Sequence, residues 1–507
     1  MKLIRTTRSL CPEDLRVLEA EIWEIDGKVI MRKTCPEHGD YEDVVWSDYA
    51  EYERAYRYLD FGKPVLHPTP SKLGCPLDCG ICSQHMSHTT LLIIDVTNRC
   101  NLRCPVCFSA AQADEYIYEP TKEQIRAILE YTQEVNHPVR VKGVQHSGGE
   151  PTVRDDLLDI IAMERELGYD YTLLATNGIR FAEDIEYFKK FCNLNVYLYL
   201  QFDGVTPEPY IQMRGRDLWP LKRKLIEDAR KIGFNKIVMV PTLARGVNDH
   251  QVGDMIRFAA DNSDVIKHLV FQPTSFTGRI ELTDLKERRI TVSDVMQLAE
   301  EQTGGQIKKS DFFALSMNNV MAKMITKHSE TTVDAAVHPH CGVITMVSVQ
   351  KGKLLPIPRY IKNDQFYDAM KKALATHKSR GRLMLSLVAG FLRYVSPRLW
   401  IKLLPILLAK NYKSYRYMTE EWLPSNWLTV STMHFQDAYN FDVDRVKHCC
   451  LHYGVPDKNG KARLIPFCPM NIIHRPAIEK EFSTPRKKRA ARRADAAQPA
   501  AVSGGSS

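Results

Sequence analysis

Three cysteines at C-x-x-x-C-x-x-C spacing, Cys100, Cys104 and Cys107, are the residues of this sequence best suited to hold a reactive cofactor. They follow a β-branched run, Leu91–Thr97, that predicts a buried strand. A 4Fe–4S cluster is normally held by four thiolates, so a compact three-cysteine loop leaves one iron open to a ligand other than cysteine. The alternative is a four-ligand zinc or ferredoxin-type site whose fourth ligand lies far away in the sequence.

A second triplet with the same spacing, Cys75, Cys79 and Cys82, lies just upstream of the first. Three thiols in so short a segment indicate metal binding. No strand-like run precedes them, so we predict an auxiliary cluster here, which needs one more ligand. Four late thiols and one histidine are available: Cys341, Cys449, Cys450, Cys468 and His85. Adjacent thiols cannot easily serve one metal site, so Cys449 and Cys450 are expected to belong to two different clusters.

Two short knuckles near the N-terminus flank a predicted β-hairpin. Cys11 begins the first knuckle, and Cys35 and His38 form the second. Such a pair resembles a rubredoxin or zinc-ribbon site, which normally has four sulfur or nitrogen ligands. Asp14 stands at the fourth position here, so a mononuclear zinc or iron site and a hairpin without metal both remain open.

Alternating strand-like and helix-like segments between residues 91 and 277 predict the scaffold that positions the first triplet. The predicted strands are Leu91–Thr97, Val141–His146, Tyr171–Thr176, Asn195–Phe202, Lys236–Pro241 and His268–Gln272. The predicted helices are Lys122–Val135, Asp155–Leu167, Ala182–Phe191, Leu218–Ile232 and Asp249–Asp261. These repeats predict an α/β fold, a partial (β/α)6 TIM-type barrel with a parallel sheet. Active-site residues are then expected at the carboxyl ends of the strands.

Polar residues stand at those strand ends. Adjacent glycines, Gly148 and Gly149, let the backbone approach a ligand closely, and the Glu150 carboxylate beside them can bind an ammonium group. The next strand ends offer hydroxyl, amide, carboxylate and guanidinium groups: Thr176, Asn177, Gln201, Asp203, Thr242 and Arg245. We predict that all nine contact a cofactor; ordinary capping of strand ends is the alternative for the last six.

Length and composition indicate an intracellular multi-domain protein. The chain has 507 residues, 13 cysteines and no apolar run at its N-terminus, so we expect a cytoplasmic protein whose thiols bind metal. The formal charge of +8 is concentrated in the tail, which leaves little reason to expect a nucleic-acid partner. We predict five units: a hairpin module (1–62), an auxiliary cluster loop (63–90), the barrel (91–280), a helical, cysteine-bearing C-terminal extension (281–473) and a disordered basic tail (474–507).

A hydrophobic region, Leu383–Ala409, stands out in the C-terminal extension. Charged residues and prolines interrupt it, so it does not supply the ~20 uninterrupted apolar residues of a membrane span. Broken helices of this kind are typical of a surface that lies on a bilayer or grips acyl chains. A helical core layer is the alternative.

The first triplet, followed one strand later by Gly148-Gly149-Glu150, resembles the radical S-adenosylmethionine (SAM) superfamily. The resemblance implies that the cluster on Cys100, Cys104 and Cys107 reduces SAM to methionine and a 5′-deoxyadenosyl radical. It also implies that the strand-end residues bind SAM and that one or two auxiliary 4Fe–4S clusters are present. Val106 departs from the pattern, because the superfamily usually has an aromatic residue before the last cluster cysteine.

The order of the cysteine motifs over nearly the whole chain resembles a group that includes archaeal tetraether lipid synthase, its bacterial relatives and dihydropterin methylases. The resemblance favours a lipid synthase that joins hydrocarbon chains through a new carbon–carbon bond. A C-methylase of a pterin-type heterocycle and a non-catalytic iron–sulfur carrier are the alternatives. The expected partners are SAM, a lipid or other hydrophobic substrate, an electron donor such as ferredoxin or flavodoxin, and the membrane surface.

Overall fold

The computed structural model describes residues 1–111, 116–283, 285–326, 336–377, 379–399 and 427–485. An antiparallel sheet with strand order β1-β2-β3-β4 opens the chain. Its strands are Lys2–Leu10 (β1), Val17–Ile25 (β2), Lys28–Cys35 (β3) and Gly39–Trp46 (β4). Alternation along β2 and β3 places Ile22, Val29 and Met31 in the core, as expected for a half-buried sheet.

Most of the later strands belong to one mixed sheet of 13 strands. The strands that follow β4 are Leu91–Thr97 (β5), Val106–Cys107 (β6), Tyr116–Tyr118 (β7), Gly143–Gly148 (β8), Tyr171–Thr176 (β9), Val196–Gln201 (β10), Ile237–Val240 (β11), Thr242–Leu243 (β12), Ile266–Pro273 (β13), Arg279–Ile280 (β14), Phe313–Ala314 (β15), Gly342–Gln350 (β16), Lys353–Pro356 (β17), Trp427–Met433 (β18), Leu451–Pro456 (β19), Ala462–Pro466 (β20) and Ser483–Pro485 (β21).

The sheet confirms the predicted parallel barrel and extends it. Strands β5, β8, β9, β10, β11 and β13 lie side by side and pair in parallel. Strand β18 pairs in parallel with β13, and β19 pairs in parallel with β5. The C-terminal extension therefore adds one parallel strand to each side of the predicted six, and antiparallel strands continue the sheet beyond both of them.

Helices connect successive parallel strands, and further helices lie in the N-terminal and C-terminal parts of the chain. They are Tyr49–Tyr56 (α1), Lys122–Asn136 (α2), Leu157–Glu166 (α3), Ile179–Glu183 (α4), Ile185–Lys189 (α5), Pro207–Arg214 (α6), Trp219–Lys231 (α7), Val252–Asp261 (α8), Val292–Gln302 (α9), Met317–Thr326 (α10), Asn363–Thr376 (α11), Arg380–Tyr394 (α12), Val443–Lys447 (α13), Phe467–Pro469 (α14) and Arg475–Glu481 (α15). The predicted helix Ala182–Phe191 is divided, because the Asp184 side chain accepts a hydrogen bond from Tyr187 N and starts a new helix there.

Buried polar contacts attach the N-terminal sheet to the segment 437–442. Lys33 Nζ donates to the carbonyls of Ala438 and Tyr439 at 2.6 and 2.9 Å. The Arg5 guanidinium and the Thr7 hydroxyl both bind the Asp442 carboxylate. The hairpin module is therefore joined to the C-terminal part of the chain by charged groups as well as by apolar packing.

One prediction about the C-terminal part needs correction, and another lies partly outside the described residues. The predicted disordered tail begins too early, because residues 475–481 form α15 and β21 pairs with β7. Helix α12 covers the start of the hydrophobic region, whereas residues 400–409 lie outside the described residues. Among the helices that the structure describes, none has the length and hydrophobicity needed to cross a bilayer.

Candidate active site

A cavity of about 420 Å³ opens at the carboxyl ends of the parallel strands. Its volume is within the ~300–1,000 Å³ typical of small-molecule sites. Of the residues predicted to form the site, it is lined by Cys100, Cys104, Cys107, Gly148, Gly149, Glu150, Thr176, Asn177, Gln201 and Thr242. Side chains that alternate along the strands complete the wall: Leu91 and Ile93 on β5, Gln145 and Ser147 on β8, Tyr199 on β10, Gln272 on β13 and Tyr453 on β19.

The first cysteine triplet forms the loop between β5 and β7 at the rim of this cavity. The pKa of the Cys100 thiol is raised to about 12, mainly by burial, and the nearby Glu150 carboxylate and the other two thiols contribute to the rise. Thiolates that repel one another at one place need a cation to hold them together. The three thiols thus fit a site for an iron–sulfur cluster, which supplies that charge.

The two glycines hold the loop after β8 against the cysteine loop. A Cβ on Gly148 would lie 2.2 Å from the Thr97 carbonyl oxygen, and Gly148 has a positive φ of 111°. A Cβ on Gly149 would lie 2.2 Å from the Arg99 carbonyl oxygen. These glycines therefore allow two backbone segments to touch, which is a structural requirement beyond the predicted approach to a ligand.

Glu150 is buried and has several donors within the chain. Its Oε1 accepts hydrogen bonds from the Thr152 and Thr176 hydroxyls at 2.6 and 2.8 Å, and its Oε2 accepts one from Asn177 N at 2.7 Å. Burial raises the pKa of Glu150, and these hydrogen bonds oppose that effect. The carboxylate thus joins the ends of β8 and β9 at the cavity wall, and its predicted contact with an ammonium group stays a prediction.

Asp203 does not line the cavity; it holds an arginine that does. The carboxylate pairs with Arg214 through two bonds, at 2.6 Å (Nε) and 2.7 Å (Nη2). Arg214 also donates to the Val106 carbonyl at 2.7 Å and to the Thr242 hydroxyl at 3.1 Å. Sequence reasoning missed Arg214 because it lies at the end of α6, where an arginine is ordinarily a surface residue. Arg245 is exposed, pairs with Asp294 and does not line the cavity, so its predicted contact with a cofactor stays a prediction.

Lys222 is a second buried cation beside this wall. Its ammonium donates to the Asn177 carbonyl at 2.6 Å and to Gln201 Oε1 at 2.9 Å. Burial lowers the pKa of Lys222 to about 7, an effect that the Asp203 charge opposes. Lys222 therefore fixes the orientation of the Gln201 amide. The sequence predicted only that this amide contacts a cofactor.

Arg475 brings a charge from the last described helix into the cavity wall. Its guanidinium pairs with the buried Asp95 carboxylate of β5 and with Glu479, and it lies over the Tyr453 ring. This residue was predicted to belong to a disordered tail. No local signal could have revealed it, because its partner Asp95 is 380 positions away in the sequence.

The second cysteine triplet is clustered as predicted, beside α13. Cys75 and Cys79 contact each other, Cys82 lies close to Cys79, and a small pocket bounded by the three also contains His85 and Lys447. His85 Nε2 is already in contact with the Cys449 carbonyl and with His452. A non-cysteine fourth ligand for this triplet stays a prediction.

The four late thiols gather in a separate buried group, here called the late cysteine group (Cys341, Cys449, Cys450 and Cys468). The Cys449 thiol lies near the other three, and burial raises its pKa well above the usual value, with their charges adding to the effect. Arg445 lies among them, with Nη2 3.8 Å from Cys341 Sγ. Thiols beside a fixed cation fit an auxiliary cluster better than they fit disulfides, and the expected division of Cys449 and Cys450 between two clusters stays a prediction.

Aromatic rings separate the cavity from the late cysteine group. Phe108, which follows Cys107, stacks on Phe467 with ring centroids 5.5 Å apart, and Phe467 precedes Cys468. Phe435 stacks on the same ring at 4.1 Å. The two predicted cluster loops are therefore in contact through side chains that adjoin their last cysteines.

The N-terminal knuckles form a compact group of ligand atoms. Among the described residues, Cys11, Asp14, Cys35 and His38 are the set whose atoms all lie within 4.8 Å of one another. His38 Nδ1 is 3.4 Å from both Cys11 Sγ and Cys35 Sγ. Asp14 also pairs with Arg16 at 2.6 Å. Two thiols, one imidazole and one carboxylate fit a single zinc ion.

Comparison with known proteins identifies two regions of the chain. A family described as the radical SAM superfamily matches residues 94–259, and the HMPTM N-terminal zinc ribbon domain matches residues 3–47. The chain is 42% identical to the 7,8-dihydro-6-hydroxymethylpterin dimethyltransferase of Methanocaldococcus jannaschii, over 95% of this chain and 96% of that protein.

Two more distant likenesses each cover less than half of this chain. A probable GTP 3′,8-cyclase of Methanothermobacter marburgensis is 29% identical over 36% of this chain and 59% of that protein. The crystal structure of Streptococcus suis SuiB bound to S-adenosylmethionine is 18% identical, with a TM-score of 0.35, and covers 43% of this chain and 48% of that chain.

Proposed function

This chain belongs to the radical SAM superfamily, in the family that carries the HMPTM zinc ribbon, and on that premise we propose that it methylates a pterin-type heterocycle at carbon. The observation that carries the proposal is the 42% identity, over nearly the full length of both chains, to a pterin dimethyltransferase. This favours the methylase over the lipid synthase that the order of the motifs suggested.

The cavity wall supports a heterocyclic substrate. Gln145 and Gln272 extend into it from β8 and β13, and each amide offers both a donor and an acceptor. Gln272 Nε2 donates to the Tyr199 hydroxyl at 2.6 Å, so the side-chain amide oxygen of Gln272 is not engaged by Tyr199. A flat ring with alternating ring nitrogens, amino and carbonyl groups can pair with such amides, whereas a hydrocarbon chain cannot.

A 4Fe–4S cluster held by Cys100, Cys104 and Cys107 supplies, when bound, the electron that cleaves SAM into methionine and a radical able to take hydrogen from unactivated carbon. The protein contributes geometry and shelter from water. Arg214 holds the Val106 carbonyl and so fixes the cysteine loop, while Glu150 joins the two strand ends beneath it. The late cysteine group and the triplet Cys75, Cys79 and Cys82 hold one or two auxiliary clusters in this proposal, and a ferredoxin or flavodoxin supplies the electrons.

The test is anaerobic turnover of the reconstituted protein with a reductant, 7,8-dihydro-6-hydroxymethylpterin and methyl-labelled SAM in excess, because the SAM that is cleaved leaves its methyl group on methionine and a second SAM is needed as the methyl donor. We expect methylated pterin together with 5′-deoxyadenosine, measured by mass spectrometry. Cys104→Ala should abolish both products, while Cys192→Ala, which removes a half-buried thiol outside all four cysteine groups, should retain them. Formation of 5′-deoxyadenosine without any methylated pterin would overturn the choice of substrate.

A second candidate function, the coupling of lipid hydrocarbon chains at a membrane surface, is favoured by one feature of α12. Leu385, Val388 and Leu392 are 70%, 50% and 54% exposed, an apolar stripe at helical spacing between Arg382 and Arg393. Such a face suits the interface of an anionic bilayer. Mass spectrometry of lipids from cells expressing the protein decides between the candidates: coupled chains that disappear with Cys104→Ala would favour this one.

A further inference from the structure

Arg445 is a buried cation whose contacts within the described chain do not balance its charge. The residue is 2% exposed and lies in α13, four positions before Cys449. Its Nη2 donates to the His434 carbonyl at 2.7 Å and approaches Cys341 Sγ at 3.8 Å. Its Nε and Nη1 are buried with no hydrogen-bond partner among the described residues.

The carboxylates in this region serve other cations. Asp442 binds Arg5 and Thr7, and Asp437 binds Arg289 at 2.7 Å. Within the described part of the chain, no carboxylate lies within ion-pair distance of the Arg445 guanidinium. A buried, unpaired guanidinium is strongly destabilising, so an anion is expected beside it.

The anion is supplied by sulfur. Cys341 Sγ lies 3.8 Å from Arg445 Nη2, and the Cys468 thiol also lies close enough to interact with the guanidinium. A 4Fe–4S cluster with four thiolates carries net negative charge, and the reduced state carries one unit more. A fixed cation beside it stabilises the reduced state preferentially and so raises the reduction potential.

We propose that Arg445 is the buried counter-ion of an auxiliary 4Fe–4S cluster on the late cysteine group and raises its reduction potential. The proposal shares one assumption with the proposed function, namely that the late cysteine group binds a cluster. Iron analysis tests that assumption without any turnover. Arg445 is a positioning and tuning residue, since it neither binds iron nor reaches the cavity.

The test is an EPR-monitored redox titration of the anaerobically reconstituted full chain. Auxiliary signals are those that SAM does not change, and the one lost in Cys468→Ala belongs to the late cysteine group. Arg445→Met removes the charge while keeping side-chain length, and we expect the midpoint potential of that signal to fall. Arg445→Lys keeps the charge and should retain most of the wild-type potential. Arg230→Met, an exposed arginine paired with Asp264, is the control and should leave the potential unchanged.

Iron content separates the possible outcomes. If Arg445→Met loses the iron of one cluster while Arg445→Lys keeps it, the requirement for a cation is supported. An unchanged potential in Arg445→Met with full iron content would overturn the proposal, and so would loss of iron in both variants. Failure to methylate pterin, with the potential shifted as expected, would refute only the choice of substrate.

Discussion

Arg214, Lys222 and Arg475 each bring a buried charge to the wall of the cavity, and each is held there by partners from another segment of the chain. Arg214 connects α6 to the cysteine loop, and Arg475 connects α15 to β5. These contacts place ordinary surface residue types in the interior. Their role depends on long-range pairing, which is why motif spacing predicted the cysteines and Glu150 but none of these cations.

Arg214→Met should destabilise the protein and loosen the cysteine loop. The change leaves the Asp203 carboxylate buried without its bidentate partner, and removing one member of such a pair typically costs ~3–5 kcal/mol. Thermal melting measures the effect. The exposed pair Arg230–Asp264 provides the control, since Arg230→Met should cost only ~0.2–1 kcal/mol. Equal melting temperatures for the two variants would contradict the prediction.

Lys222 should make stability depend on pH. Its pKa is about 7 in the folded protein against a usual value of 10.5, so between these values the unfolded chain binds a proton that the folded chain does not. The free energy of unfolding therefore rises with pH between these two pKa values. Below about pH 7 the destabilisation by the buried, charged Lys222 is fully present. Melting curves between pH 7 and 10 should show a smaller rise for Lys222→Met than for wild type. An identical slope in both proteins would argue against the shifted pKa.

At the scale of elements, the strands were predictable where local sequence decides them. Leu91–Thr97 and Tyr171–Thr176 are β-rich runs bounded by turn residues, and both predictions match the observed bounds. Strands β18 and β19 were not assigned, because β18 lies about 150 residues beyond β13 in the sequence and its place in the sheet is set by pairing alone. Periodicity reveals a strand but not its neighbour.

One added carbon atom should break the contact between the loop after β5 and the loop after β8. In Gly149→Ala the added Cβ would lie 2.2 Å from the Arg99 carbonyl oxygen, so the loops must separate, and we expect less iron bound per chain after reconstitution. Gly381→Ala in α12 meets nothing within 4 Å and serves as the matched control. Iron and sulfide analysis of the two variants measures the effect; full iron content in Gly149→Ala would refute the requirement for glycine.

At the scale of the whole molecule, both ends of the described chain support the cavity. The N-terminal sheet binds the segment that leads to the late cysteine group, and α15 places Arg475 against β5. The strand–helix repeats predicted the barrel and the cysteine spacing predicted the cluster loops, but the five predicted units are less separate than their boundaries suggested. The reason is that strands from the C-terminal extension complete the sheet of the barrel.

Two C-terminal truncations should show which part of the C-terminal segment the site requires. A chain ending at Pro485 keeps α15 and the β21–β7 pairing, and we expect wild-type iron content and 5′-deoxyadenosine formation. A chain ending at His474 leaves Asp95 buried without Arg475, and it should lose thermal stability and bound iron. Similar behaviour of the two chains would show that the Arg475 contacts are dispensable.

The attachment of β1 to residue 442 also determines when the protein can fold during its synthesis. Arg5 and Asp442 are 437 positions apart, and Asp95 and Arg475 are 380 apart, so these contacts form only after nearly the entire chain has left the ribosome. The cysteines at 75–107 emerge much earlier and must wait, reduced, for the last strands. We therefore expect iron insertion at these thiols to be a late step, after the last strands have joined the sheet.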